Sequence, residues 1–388
     1  MSDYRYLLTS LYQSGSTANP VIAELPFTNV NFTQQLNSIG TFTGELLLGG
    51  IDVTKLNVLD STVPGQTCLY VQYGNNIVWG GIIWQRDWDS TTQKLTVTAQ
   101  ELLSYFDKRR VTSNITYTSQ DPCYIANDLL VTYSQAKSHG NIGVASSATT
   151  SGYSVTRSFF NFELKSVYQA VKDLSNGFDA TTTTPFFDFT IRPAFSGSGS
   201  SQTIVKNFIM GAPYIGTYAS PSSVFQFPGN IVEYNYPEDA SRMANVLYGL
   251  GYGANTTRLM STAKDNGTGG TLASGGTAAL LEESLNLIDI SDQSLLSAMS
   301  LGHLNAVSQP PVTIQIVLPS FNDPVFGTYK IGDFSRLVLM DERFPSGLDS
   351  IYRIVAINAT PGEDGPDRIT VTLTKSLYGT GTVATGIS

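Results

Sequence analysis

Charge is scarce in this chain of 388 residues: Asp, Glu, Lys and Arg together make up 14% of it, against about a quarter in typical domains. Ser, Thr, Asn, Gly and Tyr take their place. Such a surface is poor at keeping a lone monomer in solution and suits a subunit covered by neighbours, because interface cores lose Lys and Glu and gain aromatics. Cysteine is nearly absent. Cys68 and Cys123 stand far apart, which excludes a disulfide framework, and no CxxC or Cys/His cluster points to zinc. Both are expected to be buried free thiols. No run of about 18 apolar residues occurs, so no helix is expected to span a membrane. The opening residues show no basic region followed by an apolar stretch, so neither an export signal nor a membrane anchor is expected.

Catalytic signatures are equally thin. The two histidines, His139 and His303, belong to no HExxH or HxH pattern, and there is no GxSxG elbow or SxxK. One histidine can serve as a general base, but neither Cys–His pairing has a local signature. Gly249-Leu250-Gly251-Tyr252-Gly253 lacks GxGxxG spacing, and Gly267-Thr268-Gly269-Gly270 lacks the Lys-Ser/Thr of a phosphate loop. Glu282-Glu283 reads as a solvated helix face. No residue is therefore assigned to catalysis, to a cofactor or to a metal, and the chain is not expected to be an enzyme. The net charge of −9 argues against a sequence-independent grip on nucleic acid. It would suit a protein that lets DNA pass without sticking, or simply a soluble acidic protein.

The residues that are present read mostly as strands. Cys68 to Tyr73 turns at Gly74-Asn75-Asn76 into Ile77-Val78-Trp79, a hairpin. The partner strand continues through Gly80-Gly81, which suggests a bulge or barrel corner, to Ile82-Ile83-Trp84. Trp79, Trp84 and Trp88 all lie on it, either packed in a barrel seam or forming a sugar platform; odd spacing keeps Trp79 off the face of the other two. Leu95-Thr96-Val97-Thr98-Ala99 alternates as a half-buried strand. Thr98 and Glu101 have capping-box spacing for a helix from Glu101 to about Asp107. Lys108-Arg109-Arg110 at its end either complements the helix dipole or bridges subunits.

Asp121-Pro122 opens a helix with Asp as cap and Pro at its first position; Ile125, Ala126, Leu129, Leu130 and Tyr133 follow at helical spacing. A second helix is expected from about Phe162 to Ser175, then a strand bearing Phe187, Phe189 and Ile191. Strands return at Ile231–Tyr236. The Gly/Thr/Ser-rich stretch from Gly267 to Gly276 reads as a flexible arm, and a linker helix is expected near 291–307. The rest reads as strands around Val312–Leu318, Tyr329–Asp333, Arg336–Met340, Ile354–Ile357 and Ile369–Leu373. Two stretches share one pattern: Ile82 to Ala99 and Ile354 to Leu373 each run apolar strand, polar turn, then Leu/Ile-Thr-Val-Thr. The expected fold class is α+β, β-dominated, with two related β-barrel-like domains embracing a smaller α+β domain. The divisions fall at 1–110, 111–230 and 231–388.

The run Val78 to Ile83, followed by Leu95 to Arg109, resembles the first hub domain of minor tail proteins of long-tailed bacteriophages. The helix opened by Asp121-Pro122 looks like the one that follows in that family. Tyr329 to Asp333, Tyr352 to Val355 and Asp367 to Val371 are similar to the family's second barrel. The resemblance implies a structural baseplate hub: a homotrimeric ring in the virion, at the tail tip, that caps a sixfold tail tube and opens for genome ejection. Implied partners are the chain itself, the distal tail and tail-tube ring proteins, and other tail-tip or fibre proteins. DNA and the tape-measure protein are met only in transit, and assembly takes place in the host cytoplasm. The tube-side rings would meet the barrels, and the α+β unit and loops would face outward. The competing readings are a tail-tip peptidoglycan hydrolase, a carbohydrate-binding receptor protein using the Trp79–Trp88 strand, and the sixfold distal tail ring.

Overall fold

A computed structural model describes residues 4–12, 19–50, 56–177, 185–199, 202–218, 220–241, 243–267, 270–273, 278–287, 290–308, 313–362 and 365–375. The chain opens with strands β1 (Tyr4–Ser10), β2 (Ala23–Glu24), β3 (Thr28–Gln35) and β4 (Thr41–Leu47). A short helix α1 (Val58–Ser61) leads into β5 (Thr67–Tyr73), β6 (Asn76–Asp89) and β7 (Lys94–Glu101). Helix α2 (Leu103–Asp107) begins the α+β unit, which continues through β8 (Ile115–Gln120), α3 (Pro122–Asn127), β9 (Val144–Ala145), β10 (Val155–Phe159), α4 (Val167–Ser175), β11 (Asp188–Ser196) and β12 (Thr203–Gly211). Next come β13 (Ser223–Phe227) and β14 (Glu233–Asn235), then a small unit of β15 (Val246–Leu250), β16 (Met260–Lys264), β17 (Glu282–Asn286) and α5 (Gln293–Val307). The chain returns through β18 (Thr313–Leu318), β19 (Phe334–Leu339), β20 (Leu348–Thr360) and β21 (Arg368–Lys375).

The two ends of the chain form one curled, thirteen-stranded sheet. Strand order in its two halves agrees, β3-β4-β7-β6-β5-β1 in the first and β14-β18-β21-β20-β19-β13 in the second, and β2 has no counterpart. In the first, β6 pairs with β7 as Ile83↔Ala99 and then Gln85↔Thr98, so Trp84 is bulged. In the second, β20 pairs with β21 as Ile354↔Leu373 and then Ala356↔Thr372, so Val355 is bulged. Outward from each hairpin the registers agree: Phe42↔Ala99 in the first half matches Ile314↔Leu373 in the second. On the other side, Cys68↔Ile82 matches Phe334↔Arg353. Even the turn entering the pair is repeated, with Gly65 donating to the Ile83 carbonyl and Gly332 to the Ile354 carbonyl, each at 2.7 Å. Both glycines have positive φ, 71° and 89°, where a Cβ is disfavoured. The halves differ at their outer strands: β1 is antiparallel to β5, whereas β13 is parallel to β19.

One apolar core runs under both halves, from Leu8, Phe42 and Trp79 to Leu337, Ile354 and Val371. A second core lies on the opposite face of β1, β5 and β6, where Leu7, Cys68, Tyr70 and Ile82 meet helices α2, α3 and α4 and strands β11 and β12. Strand β5 therefore loses both faces to apolar neighbours, which is why its sequence is a continuous run instead of an alternation. Cys68 and Cys123 are both buried free thiols, as expected.

Several local expectations are corrected. Thr98 and Glu101 do not form a capping box; both stay in β7, and α2 starts at Leu103. The helix opened by Asp121 is as expected at its start, with the Asp121 side chain accepting from Cys123 N–H at 2.7 Å, but it changes from α to π geometry over Asp128–Tyr133. The next helix is shorter than its apolar stripe suggested, running from Val167 to Ser175 behind a Ser166 cap. Glu282 and Glu283 lie on strand β17 rather than on a helix. The Gly80-Gly81 pair lies between two bulges, not at one, and serves close approach: a Cβ on Gly81 would come within 2.2 Å of the Gln100 carbonyl oxygen. Half of the expected arm from Gly267 to Gly276, residues 268–269 and 274–276, lies outside the described residues.

Candidate assembly site

The two half-sheets meet along one seam. The outer half of β20 pairs antiparallel with β3 as Ala356↔Gln35, Ile357↔Gln34, Asn358↔Thr33 and Ala359↔Phe32. Ile357 and Ala359 turn into the shared core and are fully buried, as is Phe32. On the outer face the Asn31 amide donates to the Asn358 side-chain oxygen at 2.8 Å and to Thr360 Oγ1 at 2.9 Å. The Leu36 N–H extends the seam by donating to the carbonyl of the bulged Val355 at 2.9 Å.

The turn that follows β3 anchors this seam to the rest of the molecule. Gly40 leaves no room for a side chain, since a Cβ would come within 1.9 Å of the Thr33 carbonyl oxygen. Its N–H donates to Glu101 Oε2 at 2.7 Å. Glu101 is buried, and burial pushes its carboxyl pKa up to about 8 despite the N–H bonds that oppose the shift. Trp79 Nε1 donates to the Thr33 carbonyl at 2.9 Å. Asn37, in left-handed conformation with φ 54°, donates to Asp188 Oδ1 at 2.9 Å and accepts from Phe189 N–H at 2.7 Å.

Asp188 is the point at which three parts of the chain converge. Besides Asn37, it accepts from Ile215 N–H at 3.1 Å and pairs with the Arg353 guanidinium. Arg353, on β20, stacks over Tyr214 at 4.6 Å and Phe334 at 5.7 Å. Both charged side chains are almost fully enclosed, and burial lowers the Arg353 pKa to about 9, so it remains a cation at neutral pH. One buried ion pair thus ties the α+β unit to the second half-sheet, and Asn37 ties both to the first. At this site buried polar groups from three parts of the chain satisfy one another.

The residues singled out by sequence do not converge. His139 packs against Tyr12 at 5.1 Å between ring centres, while His303 is on α5 with its pKa lowered by burial. Lys108 lies over the Trp84 ring at 5.9 Å, Arg109 donates to the Ser134 carbonyl at 3.1 Å, and Arg110 donates to the Asp107 carbonyl at 3.0 Å. The basic cluster is used locally, and Arg110 satisfies a helix-end carbonyl as the dipole argument expects. Gly249 allows close packing, because a Cβ there would meet Ser300 Oγ at 2.0 Å. Among the described residues no group of three or more His, Cys, Asp or Glu side chains could hold a metal ion.

The tryptophans require a correction. Trp79 is fully buried and Trp84 partly so, but Trp88 is 49% exposed. Their odd spacing does not separate Trp79 from Trp88, because the bulge at Trp84 reverses the alternation. Trp79 lies opposite Val71 and Trp88 opposite Leu95, and both partners belong to the shared core. Sequence reasoning passed over Asp188, Asn37 and Arg353. A signal existed, since Phe187-Asp188-Phe189 and Tyr352-Arg353-Ile354 each place one charge between apolar neighbours on a strand.

The whole architecture recurs in solved structures. The tail protein from Neisseria meningitidis MC58 superposes with a TM-score of 0.60 over 96% of this chain and 97% of its own, at 11% identity. The fold is that of phage tail proteins. The 43 kDa tail protein of prophage MuSo2 from Shewanella oneidensis matches with a TM-score of 0.56 at 10% identity, over 95% of this chain and 98% of its own. A prophage tail protein from Listeria monocytogenes EGD-e matches at 0.52 and 11%, over 95% and 94%. A chain of the Francisella PdpA–VgrG complex carries the fold over 57% of its length, at a TM-score of 0.55 and 8% identity. No protein-family model matches the chain, and no curated protein matches it. Among the described residues, no helix is long and apolar enough to cross a membrane.

Proposed function

We propose that this tail-protein fold serves as the baseplate hub of a bacteriophage virion: three copies form a ring at the tail tip that caps the sixfold tail tube and opens for genome ejection. The observation that carries the reading is the matched register of the two half-sheets within one chain. Three chains with two equivalent halves offer six equivalent positions, which reconciles a trimer with a sixfold cylinder. The low charge supports it, because a surface poor in Lys and Glu belongs at interfaces. The reading starts from a division into a first hub domain (1–110), an α+β domain (111–230) and a second hub domain (231–388), except that α2 packs with the α+β core and β13 (Ser223–Phe227) joins the second half-sheet. It assigns no catalytic residue and no cofactor.

In this reading the partners beyond the trimer are the distal tail and tail-tube rings and other tip or fibre proteins, with DNA and the tape-measure protein passing through. Native mass spectrometry and negative-stain imaging of the purified protein test it. Three copies with six lobes around a bore are expected. Six copies would make the chain a distal tail ring, and a monomer at micromolar concentration would refute the assembly. Clearing of peptidoglycan in a zymogram would overturn the non-enzymatic part.

A further inference from the structure

The seam between β3 and β20 is formed once in the chain, yet each half-sheet carries a strand edge that corresponds to the other side of that seam. Matching the bulges Trp84 and Val355 makes Gln85–Asp89 of β6 the counterpart of Ala356–Thr360. Matching Asn31↔Thr43 with Asn235↔Gln315 makes β14 and its continuation to Asp239 the counterpart of Asn31–Gln35. Among the described residues β14 ends the sheet, and β5 covers β6 only as far as Ile82. Both free edges are exposed where their counterparts are largely covered.

We infer that these two edges pair with each other between copies of the chain, Gln85–Asp89 of one copy adding antiparallel to Asn235–Asp239 of the next; the inference rests on the trimeric hub reading and names its contact. The register follows from the internal seam. Asp89 lies opposite Asn235, Trp88 opposite Tyr236, Asp87 opposite Pro237 and Arg86 opposite Glu238.

Four features of the chain fit that register. In the internal seam Leu36 bonds to Val355, and alternation along an antiparallel pair then puts Thr33↔Asn358 at a non-hydrogen-bonded position. Pro237 takes the place of Thr33, so the N–H it lacks is not needed by the neighbour. Asn235 takes the place of Asn31, and Asp87 and Asp89 take the places of the two acceptors Asn358 and Thr360. Among the described residues, no side-chain hydrogen bond reaches Asn235 or Asp87, whereas Asp89 already accepts from Thr91 N–H at 2.8 Å and from Thr92 Oγ1 at 2.7 Å in its own turn. Trp88 takes the place of the fully buried Ala359 and is 49% exposed; a neighbouring strand carrying Tyr236 would cover it. Arg86 would lie opposite Glu238 with opposite charge, although within the chain Arg86 already donates to the Leu59 carbonyl and Thr62 Oγ1 and Glu238 already pairs with Arg343 at 2.6 Å.

The complement of each edge is thus carried by the same chain at matching register, and this points to a second copy over an unrelated protein. The contact is head-to-tail, so it closes into a ring or runs on as a filament. The test joins Asp89→Cys with Asn235→Cys, a non-hydrogen-bonded antiparallel pair whose geometry suits a disulfide. After mild oxidation, a covalent three-chain species is expected on a non-reducing gel, absent from either single variant and from the off-register pair Asp89→Cys with Asp239→Cys. A native trimer that fails to cross-link, or one that cross-links equally off register, would overturn this contact and leave the hub reading standing. A wild-type monomer would overturn both. A second variant guards against misfolding: in this register Trp88→Pro removes the indole and an N–H that faces the neighbour but no N–H that bonds β7, so it should yield a folded monomer, and a Trp88→Pro trimer would refute the seam.

Discussion

Replacing Asp188 with Asn tests the junction on which the architecture depends. The change preserves shape and removes the charge. It leaves the Arg353 guanidinium enclosed by Tyr214 and Phe334 without its counter-ion, in a pocket where both side chains of the pair are less than a tenth exposed. Breaking one partner of a buried pair typically costs about 3–5 kcal/mol, much of it the desolvation of the charge left behind. That is a large part of the roughly 5–15 kcal/mol by which a native domain is stable. Urea titration followed by tryptophan fluorescence reads the loss as a lower midpoint. The decisive comparison is a double-mutant cycle with Arg353→Met. Each single variant should be destabilised, Asp188→Asn the more so, while the double variant should recover much of the loss because no unpaired charge remains buried. If Asp188→Asn costs under about 1 kcal/mol, or if the two changes simply add, the pair does not hold the junction and the reasoning fails.

The carboxyl of Glu101 has its pKa raised by burial to about 8, above the ordinary carboxylate value. The folded state therefore holds a proton that the unfolded state has released, and stability should fall as pH rises from about 4.5 to about 8, by up to about 1.4 kcal/mol per pH unit. Glu101→Gln should remove that slope and be the more stable protein at pH 8; an unchanged slope in thermal melts across this range would contradict the assignment. Gly81→Ala forces a Cβ against the Gln100 carbonyl oxygen and the Trp79 ring, and overpacking of this kind should lower stability by about 1–3 kcal/mol; an unshifted denaturation midpoint would show that the strands can yield. Trp88→Ala should leave monomer stability within about 0.5 kcal/mol, since its side chain is half exposed, yet weaken association by about 2 kcal/mol, roughly 30-fold, as for a buried aromatic anchor. Sedimentation across a dilution series separates the two effects.

Much of the fold was legible in the chain because it is carried by short-range patterns. The repeated Leu/Ile-Thr-Val-Thr strand, the hairpin turn at Gly74 and the Asp121-Pro122 helix start each depend on residues a few positions apart. Those patterns led to two matching barrel-like halves and to a strand-dominated class. The capping-box spacing of Thr98 and Glu101 misled because a tertiary partner, the Gly40 N–H, claims the Glu101 carboxyl across the sheet. The alternation rule misled at Trp88 because one bulged residue reverses every face beyond it.

Residue order alone sets the period of each strand, the places where the chain turns and the scarcity of charge. It took the packed layers to bring the two halves into one sheet and to make Asn37, Asp188 and Arg353 meet. Asn37 and Asp188 lie 151 positions apart, and Asp188 and Arg353 lie 165 apart. Local propensity holds no information over such distances. Contacts of that range are fixed by which buried groups can satisfy one another once the layers have packed.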